Sequence, residues 1–354
     1  MKDGIKTGLF LTGVIIGAGF ASGRELITFF GKYGWWAVPL CALSGALFIL
    51  GFILFMRIGA KVRPEKVEDI NTALFGKFSI AADILVLLNF ILSGAVMLGG
   101  SGALAKEAFG LDFKIPWPAL IACVIVFFCI LTGIKGLVKI NAVVMPFCMG
   151  FLLLVSVITI VSNRGGEAVN LGNIGLGLWA AASYVSMNLM QSFGVIGSAA
   201  KHIDDKAVKR GSIIGGSLLS AVMAVVIIAV LLAGGGAVNA EMPTIYLSKQ
   251  AGPVLAGICA VAVWLALMTS LLSSSFTLSE WLNSFLKCRW LSAICVLAVC
   301  LTVSMLGFST IIKIFFPIQG AIGILYVAGA VRYYFKEKLH VKQKPASEEK
   351  AGFL

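Results

Sequence analysis

Long apolar runs, separated by short segments of charged and turn-forming residues, recur along almost the whole chain. Each run approaches the roughly 20 residues that a helix needs to cross the hydrocarbon core of a bilayer. We therefore predict ten transmembrane helices, near residues 7–30, 35–57, 80–104, 117–134, 141–162, 174–200, 211–233, 253–281, 290–308 and 311–335. The charged tail at residues 336–354 has no apolar face to bury, so we expect it to be disordered.

Composition supports an integral membrane protein and excludes several other classes. Of the 354 residues, 59% are hydrophobic and 12% are charged, whereas soluble proteins average about 25% charged residues. The net charge of +12 is spread over loop ends, so we expect lipid as a partner and no nucleic acid. The eight cysteines include no CxxC pair and are interpreted as buried free thiols. The oligomeric state is unknown from sequence.

The basic residues orient the predicted bundle. With ten spans, the connections on one side, together with both tails, hold 21 Lys and Arg residues, and those on the other side hold 7. Connections rich in Lys and Arg stay in the cytoplasm. Both termini are therefore predicted to be cytoplasmic, which requires the even number of spans that the apolar runs give.

The first span has an unusual content for a helix in lipid. Its residues 13–25 contain four glycines and an adjacent pair of charged residues, namely Gly13, Gly17, Gly19, Gly23, Arg24 and Glu25. Glycines four residues apart allow close helix packing. They also suit a broken helix whose exposed backbone groups are satisfied by ligands. The glycine spacing alone leaves both interpretations open.

The sixth span is irregular as well. It starts about 170 residues later and carries polar residues followed by two glycines: Asn188, Gln191, Ser192, Gly194 and Gly197. Polar groups at membrane depth usually face a cavity or pair across helices. Because five spans precede this one, the second half enters the membrane in the opposite orientation. Interrupted helices at matching positions of two such halves indicate a transporter site at the midplane.

This arrangement resembles the LeuT-fold (amino acid–polyamine–organocation) transporters, and the glycine-rich string at residues 17–25 more narrowly resembles the YkvI-like bacterial membrane proteins. The resemblance implies an all-α integral membrane protein with a 5+5 inverted repeat and broken helices 1 and 6. It implies one transporter domain at residues 1–335, with repeats at about 5–163 and 172–335, followed by a cytoplasmic tail at 336–354. The location implied is the bacterial inner membrane.

The resemblance also implies a sodium site between spans 1 and 8. Carried onto this sequence, its ligands are the carbonyls of Gly13, Ile16 and Ala266 and the hydroxyls of Thr269 and Ser270. The last three residues share one helix face through their i, i+3, i+4 spacing. Alternatively, the hydroxyls bond back to carbonyls one turn earlier. We expect Na⁺ as the coupling ion, with no other metal and no cofactor.

Three features qualify this sodium site. Phe20 stands where relatives with a second sodium ion have an asparagine, which puts a second site in doubt. Some proton-coupled relatives place a lysine on the fifth span, and residues 141–162 contain no lysine or arginine. Ser273 and Ser274 form a competing hydroxyl pair one turn further along span 8.

By the same resemblance, the substrate lies beside the two helix breaks. Its carboxylate is expected on N–H groups at the positive end of the outer half-helix, and its ammonium on carbonyls near residues 187–191. The expected lining is Gly17, Ala18, Gly19, Phe20, Ala21, Asn188, Gln191, Ser192 and Phe193, with Asn89 and Ser93 of span 3 opposite. Asn89 and Asn188 could instead join helices by hydrogen bonds. No buried acid is evident, so a small neutral amino acid is the expected substrate.

Arg24 and Glu25 lie just past the proposed break, where we expect an ion pair that gates the outer mouth; interfacial anchoring is the alternative. The predicted function is sodium-coupled symport by alternating access, and not an enzyme activity. A proton-coupled or passive transporter or exporter remains open. So does a membrane scaffold or sensor in which the glycines serve packing only.

Overall fold

The computed structural model describes residues 2–64, 67–132, 137–162, 174–200 and 203–343, and these residues form helices without strands. The helices are α1 (Lys2–Ile15), α2 (Ala18–Ala21), α3 (Arg24–Phe30), α4 (Ala37–Val62), α5 (Val67–Phe75), α6 (Ser79–Phe109), α7 (Trp117–Thr132), α8 (Leu137–Ser162), α9 (Gly177–Ala199), α10 (Asp205–Ala233), α11 (Gly235–Asn239), α12 (Pro243–Ala251), α13 (Pro253–Leu286), α14 (Arg289–Ser304) and α15 (Phe308–Gln343). A 3₁₀ turn, Gly31–Trp36, joins α3 to α4.

Helices lie at all ten predicted positions, with α1, α2 and α3 together at the first. Five helical stretches of the described residues are long and apolar enough to cross a membrane: Arg24–Val62, Glu68–Phe109, Asp205–Ala233, Pro253–Leu286 and Phe308–Lys336. Trp117–Thr132, Pro146–Ser162 and Arg289–Ser304 are shorter apolar helices. The count of ten spans and the repeat boundaries stay predictions. The short helices α5, α11 and α12 lie in segments that the apolar pattern assigned to connections.

Helix α9 runs through the centre of the bundle, packed against α4 on one side and α15 on the other. Glycines make both contacts close. A Cβ on Gly59 of α4 would collide with the backbone of Gly197 in α9, and a Cβ on Gly323 of α15 would lie 2.6 Å from the Ser186 carbonyl. Helix α10 packs against α1 and α4, and α13 packs against α6.

The predicted break in the first span is confirmed. Helix α1 ends at Ile15, Gly17 is extended (φ −107°, ψ −171°), and the short helix α2 follows. A second interruption lies at Gly23, whose φ of 75° is in the left-handed region that favours glycine. The chain therefore crosses this part of the bundle as three short helices rather than one.

The predicted break in the sixth span is wrong, because α9 is continuous from Gly177 to Ala199. Its polar side chains bond within the helix: Asn188 Nδ2 donates to the Tyr184 carbonyl at 3.0 Å, and Ser192 Oγ donates to the Asn188 carbonyl at 2.6 Å. Gly197 serves the close approach of α4. The features that indicated a break are thus used for local hydrogen bonding and packing.

The expectation of disorder from residue 336 onward is also wrong at its start, because α15 continues to Gln343. Lysine and glutamate have good helix propensity, so a charged extension of a long helix needs no apolar face. Residues 344–354 lie outside the described residues. So do several basic residues that supported the predicted orientation, namely Lys66, Lys135, Arg164 and Lys201, and the orientation therefore stays a prediction.

We predict that Gly59→Ala lowers the thermal stability of the detergent-purified protein, since overpacking of a close contact costs about 1–3 kcal/mol. Gly102→Ala is the matched control, because a Cβ there meets nothing within 4 Å. That control should be neutral or stabilising by about 0.5–1 kcal/mol, the usual gain over glycine inside a helix. Equal melting shifts in the two variants would contradict the backbone contact between α4 and α9.

Candidate functional site

The break after α1 leaves backbone groups without helical partners. The last backbone hydrogen bond of α1 joins the Ile16 N–H to the Thr12 carbonyl at 3.0 Å. The carbonyls of residues 13–16 therefore accept no hydrogen bond within the helix, as is general at the C-terminal end of a helix. The N–H groups in the first turn of α2 likewise donate no hydrogen bond within α2, because they lie at the N-terminal end of that helix. Two predicted ligands, the carbonyls of Gly13 and Ile16, are in this free set.

Helix α13 lies against this break. A Cβ on Gly17 would meet only the Ser270 hydroxyl, at 3.8 Å, and a Cβ on Gly13 would meet nothing within 4 Å. There is thus open space beside Gly13, and Gly17 adjoins Ser270 of α13. The structure therefore places Ser270, a predicted sodium ligand, near Gly17, a predicted substrate contact, and the sodium site itself stays a prediction.

The hydroxyl of Thr269 bonds back to a carbonyl one turn earlier, as the alternative interpretation predicted: it donates to the Ala266 carbonyl at 3.1 Å. That bond uses the hydroxyl hydrogen and leaves the oxygen lone pairs able to accept. Ser270 makes no hydrogen bond among the described residues and is partly exposed. Of the competing pair, Ser273 donates to the Thr269 carbonyl and Ser274 Oγ lies 3.4 Å from Ser93 Oγ of α6.

Two buried amides lack hydrogen-bond partners. Asn89 lies one turn before Ser93 on α6 and is 4% exposed, and Gln319 on α15 is 3% exposed. Neither amide has a partner for its oxygen or its nitrogen among the described residues. Such groups are costly to bury unsatisfied, so both are candidates for contact with a bound solute. Sequence reasoning missed Gln319, although a lone glutamine in an apolar run was a usable signal.

The predicted lining residues of α9 divide between two surroundings. Phe193 stacks on Phe55 with ring centroids 3.9 Å apart and meets Tyr326 edge-on, so it belongs to an aromatic cluster of α4, α9 and α15. Gln191 is only partly buried. Asn188 is the member that contacts the first span, through Glu25 of α3.

The predicted ion pair between Arg24 and Glu25 is not formed. Arg24 Nη1 donates to the Ala240 carbonyl at 2.9 Å and to the Val238 carbonyl at 3.4 Å. Glu25 points the other way, into the protein, and its Oε1 accepts from Asn188 Nδ2 at 3.2 Å. Adjacent residues on a helix do not face each other, which explains the divergence. A gating role for either residue stays a prediction.

Glu25 also corrects the expectation that the site has no buried acid. The residue is 6% exposed. Its carboxylate lies against Gly19, where a side chain would collide with it, and beside Tyr184 of α9. The first turn of α3 therefore carries an acid into the interior of the bundle.

We call the end of the bundle where α1 and α10 begin the near end, and the opposite end the far end. At the far end a hairpin formed by α11 and α12 covers the second interruption, at Gly23. The Thr244 N–H donates to the Ser22 carbonyl at 3.2 Å, in addition to the bonds of Arg24 with the hairpin carbonyls. At the near end Arg57 of α4 binds Asp205 of α10 at 3.0 Å and the Tyr334 hydroxyl of α15 at 3.1 Å. A cavity of about 640 Å³ opens there between α1, the end of α9 and the start of α10.

We predict that Gly23→Ala weakens closure of the far end. A Cβ there would lie 3.0 Å from Thr244 Oγ1 and 3.3 Å from the Pro243 Cβ, at a positive φ. Gly76→Ala is the control, because it has a similar φ of 54° with nothing within 4 Å. In both variants the left-handed backbone should lower the free energy of unfolding by about 1–2 kcal/mol. Gly23→Ala should lose further stability through its contact with the hairpin, and it should speed hydrogen exchange in residues 234–252. Unchanged exchange in that segment would contradict the contact.

Comparisons with known proteins agree with this architecture. No family model matches the chain. The membrane protein YkvI of Bacillus subtilis (strain 168) is 26% identical over 330 residues, which are 89% of this chain and 91% of YkvI. The protein YyaD of the same organism is 23% identical over 94% of this chain and 97% of its own length.

The same fold occurs in solved structures. The inward-facing conformation of Mhp1 matches with a TM-score of 0.68 and 14% identity, over 90% of this chain and 73% of Mhp1. MhsT in complex with L-phenylalanine matches with a TM-score of 0.62 and 14% identity, over 92% of this chain and 90% of MhsT. The predicted resemblance to YkvI-like membrane proteins with a LeuT-type fold is therefore confirmed.

Proposed function

We propose that this chain is a secondary transporter that couples Na⁺ to the movement of a small neutral amino acid or a related solute by alternating access. The observation that carries the proposal is the broken first span, which leaves carbonyls free at the end of α1 and places Gly17, within the break, next to the Ser270 hydroxyl of α13. In an apolar interior, free backbone groups persist where a ligand or a cavity satisfies them.

The oxygen atoms at the break suit a hard monovalent cation. Carbonyls of Gly13 and Ile16 and the hydroxyls of Thr269 and Ser270 are neutral oxygen ligands, the kind that alkali and alkaline-earth cations prefer. The Ala266 carbonyl already accepts from Thr269 and keeps a second lone pair. Ion binding would tie α1 and α2 to α13 and so favour one arrangement of the bundle, which is what coupling requires.

For the solute, the buried amides of Asn89 and Gln319 provide neutral hydrogen-bonding groups. MhsT holds L-phenylalanine and Mhp1 holds bromovinylhydantoin in its closed conformation, which supports a small solute that offers both donors and acceptors. The expected contact of an ammonium with carbonyls of a broken sixth helix is withdrawn, because α9 is unbroken. The free carbonyls at the end of α1 are the available partners.

Two closures at opposite ends support alternating access. The hairpin and Arg24 close the far end over the second interruption, at Gly23. The near end holds the ion pair of Arg57 and Asp205 beside a cavity. The packing of α4 with α10 and of α6 with α13 pairs helices at corresponding positions of the two halves. Such pairing is what two inverted repeats would give. The predicted cytoplasmic termini would place the near end, where α1 begins, on the cytoplasmic side.

We predict that NaCl stabilises the purified protein against heat more than choline chloride does at equal ionic strength. Binding to the folded state alone adds about 2.7 kcal/mol at a hundredfold excess over Kd. The double variant Thr269→Ala/Ser270→Ala should lose the sodium effect. Thr277→Ala, which alters an exposed hydroxyl two turns along the same helix, should retain it. If the sodium effect is lost in Ser273→Ala/Ser274→Ala but kept in Thr269→Ala/Ser270→Ala, the sodium site lies one turn further along α13. A sodium effect that is unchanged in every variant would refute a sodium site on this helix.

We further predict opposite effects of Asn89→Leu on stability and on solute response. Without solute, removal of an unsatisfied buried amide should raise the free energy of unfolding by about 1–3 kcal/mol, and the melting temperature should rise with it. The same change should abolish the stabilisation that individual neutral amino acids give in NaCl. Asn283→Leu, near the end of α13, is the control that should keep this response. A solute response that survives in Asn89→Leu would exclude Asn89 from the substrate site.

A further inference from the structure

We propose that Glu25 is a proton-binding site that controls closure of the far end, because α3 joins this acid to the residue that holds the hairpin. The link between proton binding and transport rests on the proposed function. The link between proton binding and far-end closure does not, and it is tested below without sodium or solute.

The surroundings of Glu25 suit a proton better than a larger cation. The carboxyl group is 6% exposed, accepts one hydrogen bond from Asn188, and fills the space left by the missing side chain of Gly19. An amine or a metal ion would need room and further ligands at this position. A proton needs neither, and the neutral acid is a group that a single amide and a nearby phenol can accommodate. An unpaired carboxylate buried in this way is strongly unfavourable.

No cation compensates the carboxylate among the described residues. Of the elements packed against α3, α9 presents Tyr184 to the carboxyl group, and α2 contains no titratable residue. In the 3₁₀ turn, exposed Lys32 lies over the ring of Tyr33, 5.1 Å from its centroid. Residues 211–233 of α10 carry no charge, and Lys313 at the start of α15 is exposed. Arg24, on α3 itself, is engaged by the hairpin carbonyls.

Helix α3 connects the acid to the hairpin over a very short distance. It has seven residues between Gly23, with its left-handed backbone, and a 3₁₀ turn that contains a non-helical Gly34. Arg24 and Glu25 are its first two residues, so a rotation that moves one moves the other. With Glu25 inside, Arg24 lies under the Val238 and Ala240 carbonyls.

The proposed step is a proton transfer. The O–H bond of the Glu25 carboxyl breaks, the proton passes to water at the far end, and the electron pair stays on the carboxylate. The charged group then turns toward that water, α3 rotates with it, and the bonds of Arg24 to the hairpin are lost. Reprotonation from the same water allows the carboxyl group to return to Asn188 and the hairpin to close.

The test is hydrogen–deuterium exchange of residues 234–252 in the full-length protein, in choline chloride without solute. The ratio of the wild-type rate to the Glu25→Gln rate at the same pH cancels the intrinsic pH dependence of exchange. The closed form binds the proton, so its stability is present at low pH and is lost as pH rises. The ratio should be near 1 at low pH and should rise by up to about tenfold per pH unit, the limit for one proton.

Two further variants separate the parts of the proposal. Arg24→Gln should give fast exchange of the hairpin at every pH, because the bonds are absent whatever the state of Glu25. Glu280→Gln, which removes an exposed carboxylate 3.4 Å from Arg289, should behave as wild type. A ratio that stays near 1 at every pH overturns the proposal. If Glu25→Gln does not fold, the wild-type rate in 234–252 relative to that in residues 110–116 of the same molecule must show the same rise, and its absence also overturns the proposal.

Discussion

The rest of the structure depends on a constraint on the backbone: a helix interrupted inside an apolar bundle must have its free carbonyl and N–H groups satisfied from outside the helix. The interruption at Ile16 and Gly17 is the place where this constraint applies. Helix α13 presents Ser270 to it, and the hairpin covers the second interruption at Gly23. These contacts are needed because the first span does not satisfy its own backbone.

The two central spans differ in the continuity of their helices. Helix α9 is continuous and is held at both ends by aromatic contacts, with Tyr184 among Phe29, Phe30 and Phe48, and Phe193 on Phe55. The first span has two interruptions, at Gly17 and Gly23, and joins its neighbours both by the packing of α1 on α10 and by the hydrogen bonds of Arg24 and Glu25. A motion of α3 would therefore have to break the contacts of Phe29 and Phe30 with Tyr184 and the hydrogen bond between Glu25 and Asn188, which tie α3 to α9.

Sequence reasoning located the helices because apolar runs are a local property of the chain. It located the first break through the resemblance to LeuT-fold transporters, since the glycine spacing alone left close packing open. It placed a break in α9 wrongly because Gly197 has the same local appearance as Gly17, and its partner, Gly59, is distant in the chain. The inward direction of Glu25 likewise depends on Asn188, 163 residues away. The sodium ligands and the solute contacts are still predictions: neutral oxygens recur in many helices, and only their convergence in space distinguishes a site.

The glycines of the first span are better explained by the break than by close packing. Close packing is present nearby, at Gly8, where a Cβ would lie 3.1 Å from the Gly211 carbonyl of α10. The four motif glycines do not share one such surface. Their sites adjoin open space at Gly13, the Ser270 hydroxyl at Gly17, the Glu25 carboxylate at Gly19, and Pro243 and Thr244 of the hairpin at Gly23. A dimerisation or packing stripe would need one common surface. Four glycines with four different surroundings are instead explained by the two backbone interruptions and by the side chains of Ser270, Glu25 and Thr244 that lie against them.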